Sequence, residues 1–118
     1  MRKVYIAIPY TGMEESSYKQ CIIAVSQLMI NNPNVMFFSP IINSHPLTKY
    51  GLGGDWEYWK KVDLEWLALC DTFLGIIPQE GMEKAIKSIG LKEEYMFAEK
   101  HKKEILFAHF EDIINIIL

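Results

Sequence analysis

Short β-branched and aromatic runs alternate with longer amphipathic stretches along this chain. That alternation places it in the α/β class, with a parallel sheet covered by helices on both faces. Three observations carry the expectation. The apolar runs at residues 4–8, 35–38 and 72–77 have strand length, and the first two close at Pro9 and at Ser39-Pro40. The stretches between them are long enough for crossover connections. Half of the 118 residues are hydrophobic, enough for one core and too few for two, so residues 1–118 are read as a single domain.

Residues 3–8, with Val4, Tyr5, Ile6 and Ile8, form the first predicted strand, ended by Pro9. Residues 14–30 space Tyr18, Ile22, Val25, Leu28 and Met29 at three and four, behind Glu14 and Glu15, whose charge suits a helix start. Asn31-Asn32-Pro33 stops that helix, and residues 35–38 form a short strand. Residues 41–54 hold Pro46 and three glycines without lasting periodicity, so a long surface loop is expected, a kind of segment that often carries function. Asp55 is the expected N-cap of a helix running through Leu69 on Trp59, Val62, Leu64, Trp66 and Leu67. Residues 72–77 are the third strand. Ser88-Ile89-Gly90-Leu91 has the look of a turn, residues 93–102 of a helix and 104–107 of a further strand, while 111–118 suits either a helix or a strand.

Composition excludes several functions. A formal charge of −3 with scattered lysines forms no basic stripe, which argues against a polynucleotide partner. Cys21 and Cys70 make no Cys-x-x-Cys pattern and fit reduced, buried thiols of a cytoplasmic protein. The apolar run behind Met1-Arg2-Lys3 stops at Pro9, too short for a signal-peptide core or a membrane span, so neither export nor a membrane partner is expected. His45, His101 and His109 show no ligand spacing, so no metal is expected. No Gly-x-Gly-x-x-Gly or Walker pattern calls for NAD or ATP, and no cofactor is expected. So small and apolar a domain is expected to form a homodimer or larger homo-oligomer. Trp56, Trp59 and Trp66 and the Ile-rich stretch 113–118 are the candidate contacts.

Open α/β sheets place ligand chemistry at the carboxyl edge, where strands give way to loops and new helices. Glu94 follows the strand at 72–77 and falls in the first turns of a helix, which makes it the candidate nucleophile. His45 is a candidate acid or phosphate ligand. Pro9, Thr11, Gly12, Ser39 and Ser44 lie in loops after predicted strands, where hydroxyls and backbone N–H groups bind a sugar or a 5′-phosphate. Trp56 and Trp59, three apart on one helix, suit a core or a subunit contact.

Several segments occur in a telling order: Tyr5-Ile6-Ala7-Ile8-Pro9-Tyr10; Phe38-Ser39-Pro40-Ile41 with Ser44-His45-Pro46-Leu47; Asp55-Trp56-Glu57-Tyr58-Trp59; Cys70-Asp71; and Ser88-Ile89-Gly90-Leu91 ahead of Glu94. Together, over nearly the whole chain, they resemble the nucleoside 2-deoxyribosyltransferase superfamily, above all its small phage and bacterial branch. The resemblance implies a flavodoxin-like three-layer sandwich with a parallel sheet of about five strands. It implies an enzyme that cleaves or transfers the N-glycosidic bond of a (deoxy)nucleoside or its 5′-monophosphate. The spacing x-Gly-x-x-x-Glu selects Glu94 over Glu93 as the residue that forms a glycosyl-enzyme, with Ser88 and Gly90 at the substrate. Tyr5 is implied to orient that glutamate, and Asp71 to face the leaving base or the sugar.

The chemistry is coherent. Breaking the C1′–N bond develops oxocarbenium character that a carboxylate stabilises or captures. A second acid must protonate the departing base, and Asp71 or Asp63 can supply it if burial raises its pKa. The chain departs from the pattern where transferases proper often carry aspartate and Ser88 stands, as in relatives that hydrolyse nucleoside monophosphates. It also has Gly81-Met82 in place of a Gly-Trp pair and a longer stretch at 83–87. Two other outcomes are a nucleotide-binding module without chemistry and a structural oligomer with a vestigial pocket.

Overall fold

The strands β1 (Arg2–Ala7), β2 (Val35–Phe38), β3 (Thr72–Ile77) and β4 (Glu104–His109) pair in parallel in the order β2-β1-β3-β4. The computed structural model describes residues 1–53 and 55–118. Its helices are α1 (Glu14–Asn31), α2 (Pro40–Ser44), α3 (Trp56–Ala68), α4 (Met82–Lys87) and α5 (Ile89–Lys100), with 3-10 turns at His45–Tyr50 and Phe110–Asn115. The α/β three-layer fold is as expected.

Alternation along the two central strands splits the core. Val4, Ile6 and Ile8 of the β1 segment and Leu74 and Ile76 of β3 pack on one face against Cys21, Ala24, Val25 and Leu28 of α1 and against Ile113. Tyr5, Ala7 and Phe73 face the other way, onto Leu67 of α3, Ala85 of α4, and Leu91 and Ala98 of α5. Every residue of β3 is buried, which is why its sequence is an unbroken apolar run. A Cβ on Gly75 would lie 2.4 Å from the ring of its cross-strand neighbour Phe107, so glycine lets that half-exposed ring lie over β3.

Several expectations are corrected. Among the described residues the sheet has four strands, not about five, because the chain after β4 folds back over α1. Asn31 Nδ2 donates to Ile114 O at 2.6 Å and Leu118 N–H donates to Asn32 Oδ1 at 2.6 Å, so the 111–118 stretch becomes a 3-10 turn and tail. Residues 41–50 are not loop: Ser39 accepts the Ile42 N–H, Pro40 takes the first helical position, and α2 runs into the 3-10 turn. Gly54, the last residue of the expected loop, lies outside the described residues. α5 begins at Ile89 and not at residue 93, because Ser88 caps it and the supposed turn is its first turn. α1 buries Ser17, Gln20, Cys21, Ala24, Val25 and Leu28 and leaves Ile22 and Met29 exposed. The longer 83–87 stretch, to which no element was assigned, forms α4.

Cys21 and Cys70 are free and buried, and burial pushes the Cys21 thiol up to about 12. No helix among the described residues is long and apolar enough to cross a membrane.

Candidate active site

The loops that leave the carboxyl ends of β1 and β3 are tied to α1 by its buried polar side chains. Ser17 Oγ donates to Pro9 O at 2.5 Å, and Gln20 accepts the Gln79 N–H and donates to Glu80, both at 2.9 Å. Gly12 occupies the left-handed region at φ 86°, a turn conformation that glycine adopts without strain. β1 and β3 flank the point where strand order reverses, so the crevice above them is the place where this topology binds ligands.

Into this crevice α5 brings Glu94 and α3 brings Asp63. Glu94 is 5% exposed, and its Oε2 accepts a hydrogen bond from the Tyr5 hydroxyl. Tyr5 itself is fully buried and held between Phe38 and Phe73. Asp63 is 8% exposed. Among the described residues no lysine or arginine forms a salt bridge with either carboxyl. Burial therefore decides their titration. It pushes Glu94 up to about 8, opposed by the hydrogen bond from Tyr5 and reinforced by the charge of Asp63. It pushes Asp63 up to about 7. The Tyr5 phenol is raised well above its ordinary value, first by burial and then by Glu94, and so stays a donor.

Both carboxyls line a cavity of about 360 Å³, within the size range of small-molecule sites. Pro9, Thr11, Ser44, Ser88 and Gly90, all expected at the site, line it as well. Ser88 Oγ accepts the Leu91 N–H at 3.1 Å, which fixes the first turn of α5 beneath the cavity. A Cβ on Gly90 would meet the Trp56 ring at 3.6 Å, ordinary contact, so this position sets cavity width without forbidding a small side chain.

Four expected site residues lie elsewhere. Asp71 is exposed at the start of β3, on the opposite edge of the sheet, where its Oδ2 accepts the Lys3 N–H at 2.8 Å. Ser39 is the N-cap of α2, and Gly12 gives its N–H to Glu14. His45 is buried behind the cavity wall: Nδ1 bonds the Tyr10 hydroxyl at 2.6 Å, Nε2 bonds Glu15 at 2.9 Å, and the ring stacks on Tyr18.

Other cavity residues were not expected there, among them Tyr10, Thr48, Trp56, Trp59, Lys84 and Lys87. Trp56 and Trp59 line the cavity instead of serving only a core or a subunit contact. A signal existed, because Trp56, Trp59 and Asp63 share one face of α3 at i, i+3 and i+7, and an acid on an aromatic face is unusual. Trp59 Nε1 donates to Gly53 O at 2.8 Å, whereas the buried Trp56 Nε1 has no acceptor among the described residues. Lys84 and Lys87 come from α4, with Lys87 paired to Glu83 at 2.7 Å. Among the described residues no group of three His, Cys, Asp or Glu side chains is placed to hold a metal ion.

Neither the protein-family models nor the curated proteins compared with this chain give a match.

Proposed function

We propose that the chain cleaves or transfers the N-glycosidic bond of a (deoxy)nucleoside or its 5′-monophosphate, through a covalent glycosyl-glutamate. One observation carries the reading: two buried carboxyls without a salt-bridge partner among the described residues, one of them hydrogen-bonded to a buried tyrosine, line a single cavity together with two tryptophans. Structural acids are seldom kept in that state, whereas acid–base and nucleophilic sites require it. The resemblance to the nucleoside 2-deoxyribosyltransferase superfamily gives the substrate class.

In the proposed reaction the Glu94 carboxylate attacks C1′ as the C1′–N bond breaks. The bonding pair leaves with the base, which takes the proton of Asp63. Asp63 replaces Asp71 in this role because it lines the cavity and burial raises its pKa. Tyr5 keeps its hydrogen on Glu94 and favours the anion. Water or the N–H of a second base, losing its proton to Asp63, then attacks C1′ and releases Glu94. The rings of Trp56 and Trp59 suit a flat base, and the charge of Lys84 and Lys87 suits an anionic 5′-substituent.

Burial raises both carboxyls and so holds both towards the protonated form. Chemistry needs Glu94 ionised and Asp63 protonated, which a base nitrogen on Asp63 and positive charge at C1′ above Glu94 would both favour. Two carboxyls held protonated also support a second reading, a module that binds a nucleotide without cleaving it. Chromatography of free base released from a panel of nucleosides and 5′-monophosphates, with and without an acceptor base, separates the two. Release by the wild type that Glu94→Gln abolishes is the expected result. Calorimetric binding with no release on long incubation would establish the binding module instead.

A further inference from the structure

β4 is an edge strand, paired with β3 on one side and with no strand beyond it on the other among the described residues. The chain that follows it turns back to α1. Beside this edge, between α4, α5 and β4, lies an apolar groove of about 520 Å³ lined by Met82, Ile86, Leu91, Tyr95, Met96 and Phe107. Ile86 is 71% exposed, Met96 56% and Phe107 48%. Clustered apolar side chains of this kind mark a surface built to be covered.

The charges around the groove say by what. Lys92 and Glu99 also line it, one at each end of an α5 stripe that reads Lys92, Tyr95, Met96, Glu99. These positions share one helix face. The stripe is complementary to itself under a half turn: with an antiparallel copy centred between Tyr95 and Met96, Lys92 meets the partner's Glu99 and Tyr95 meets the partner's Met96, twice over. The Tyr95 hydroxyl donates to Glu99 at 3.2 Å, which holds the carboxylate along the stripe. The balance of one cation and one anion fits neither a polyanion nor a lipid surface.

We propose that this face takes a second copy of the chain, in a two-fold dimer with α5 packed antiparallel on α5. The proposal is independent of the function proposed above. It bears on the site all the same, because Leu91 lines both the groove and the cavity and the dimer would brace the first turns of α5. It relocates the expected self-association away from the tryptophans and the C-terminal stretch.

Sedimentation of the full chain across a wide concentration range tests it. The wild type should dimerise, and Met96→Glu should be monomeric with unchanged circular dichroism. Lys92→Glu and Glu99→Lys should each weaken the dimer about tenfold or more, since each breaks two pairs and sets like charges together. Combining them should restore affinity to within a few-fold of wild type, and that rescue decides the matter even if Met96→Glu fails to fold. A wild type that stays monomeric throughout overturns the proposal. So does a dimer indifferent to the charge reversals, which would sit on another face such as the exposed Ile22, Ile23, Met29 and Ile30 of α1.

Discussion

At the amino edge of the sheet, Asp71 and Glu104 stand in solvent with partners at hand: Asp71 accepts the Lys3 N–H, and Glu104 accepts from Thr72 and pairs with Arg2. At the carboxyl edge, Glu94 and Asp63 are buried and, among the described residues, form no salt bridge with a lysine or arginine. The first pair keeps its hydration, and its surface contacts add little stability. The second pair resists ionisation, so the folded chain holds protons that water would remove. Two edges of one sheet thus treat the same functional group in opposite ways, and only the buried treatment is of use to acid–base chemistry.

The contrast is broken most directly by exchanging each acid for its amide. Glu94→Gln is expected to lower base release by about a thousandfold or more, because no nucleophile remains. Asp71→Asn should leave turnover within about twofold of wild type and act only on stability. An inactive Asp71→Asn with an active Glu94→Gln in the chromatographic assay would reverse the assignment of the edges. Asp63→Asn should cost about a hundredfold or more in kcat, least with substrates whose base leaves unprotonated.

The pH dependence of stability sharpens the same comparison. Glu94 moves from 4.5 to about 8 on folding, and Asp63 from 3.8 to about 7. Below both ordinary values the folded and unfolded chains carry the same protons. As pH rises the unfolded chain releases them first, so it binds fewer protons and stability falls until the folded carboxyls ionise, above about pH 8. Scanning calorimetry should therefore show Tm dropping by about 5 °C or more between roughly pH 5 and pH 8.5. The combined Glu94→Gln and Asp63→Asn variant should flatten that slope. Tyr5→Phe removes the hydrogen bond that pulls Glu94 down. It should move the rising limb of the pH–rate profile to higher pH, slow turnover roughly tenfold, and cost about 1–3 kcal/mol for the carboxyl oxygen left buried. The smallest effect is expected from Trp56→Phe, which removes an N–H without an acceptor among the described residues and should leave chemical-denaturation stability within about 1 kcal/mol of wild type.

The legible parts of the sequence were those governed by one strong local signal. β2 and β3 lie at the residues expected because each is a short apolar run bounded by polar or turn residues, although only β3 is buried throughout. The Asp55 cap of α3 was legible for the same reason, as its side chain accepts the Glu57 N–H. The bond between Tyr5 and Glu94 was foreseen only through the resemblance, since it joins residues far apart in the chain. Asp71 and Asp63 show the limit. Both are acids near the join of a helix and a strand, but an acid just before a parallel strand lies at the amino edge, and Asp63 rides the face of α3 that leans over the opposite one. The Ser39-Pro40 start of α2 was a readable cap and first turn, masked by the glycines and proline that follow. α1 misled through its exposed isoleucines, since small residues let the helix approach the sheet and left the larger ones outside.

His45 has a consequence for how a ligand enters. Its ring nitrogens bond Tyr10 and Glu15 while its face lies on Tyr18, so the segment carrying Ser44 and Thr48 is fastened to α1 by one hydrogen bond and one ring stack, and to the chain just before α1 by a second bond. Such a segment does not breathe alone. Its amides should exchange with solvent deuterium in step with α1, as one cooperative unit. Traffic into the cavity is thereby left to the opposite rim, where the short helix α4, joined to α5 through Ser88 alone, holds its lysine side chains in water.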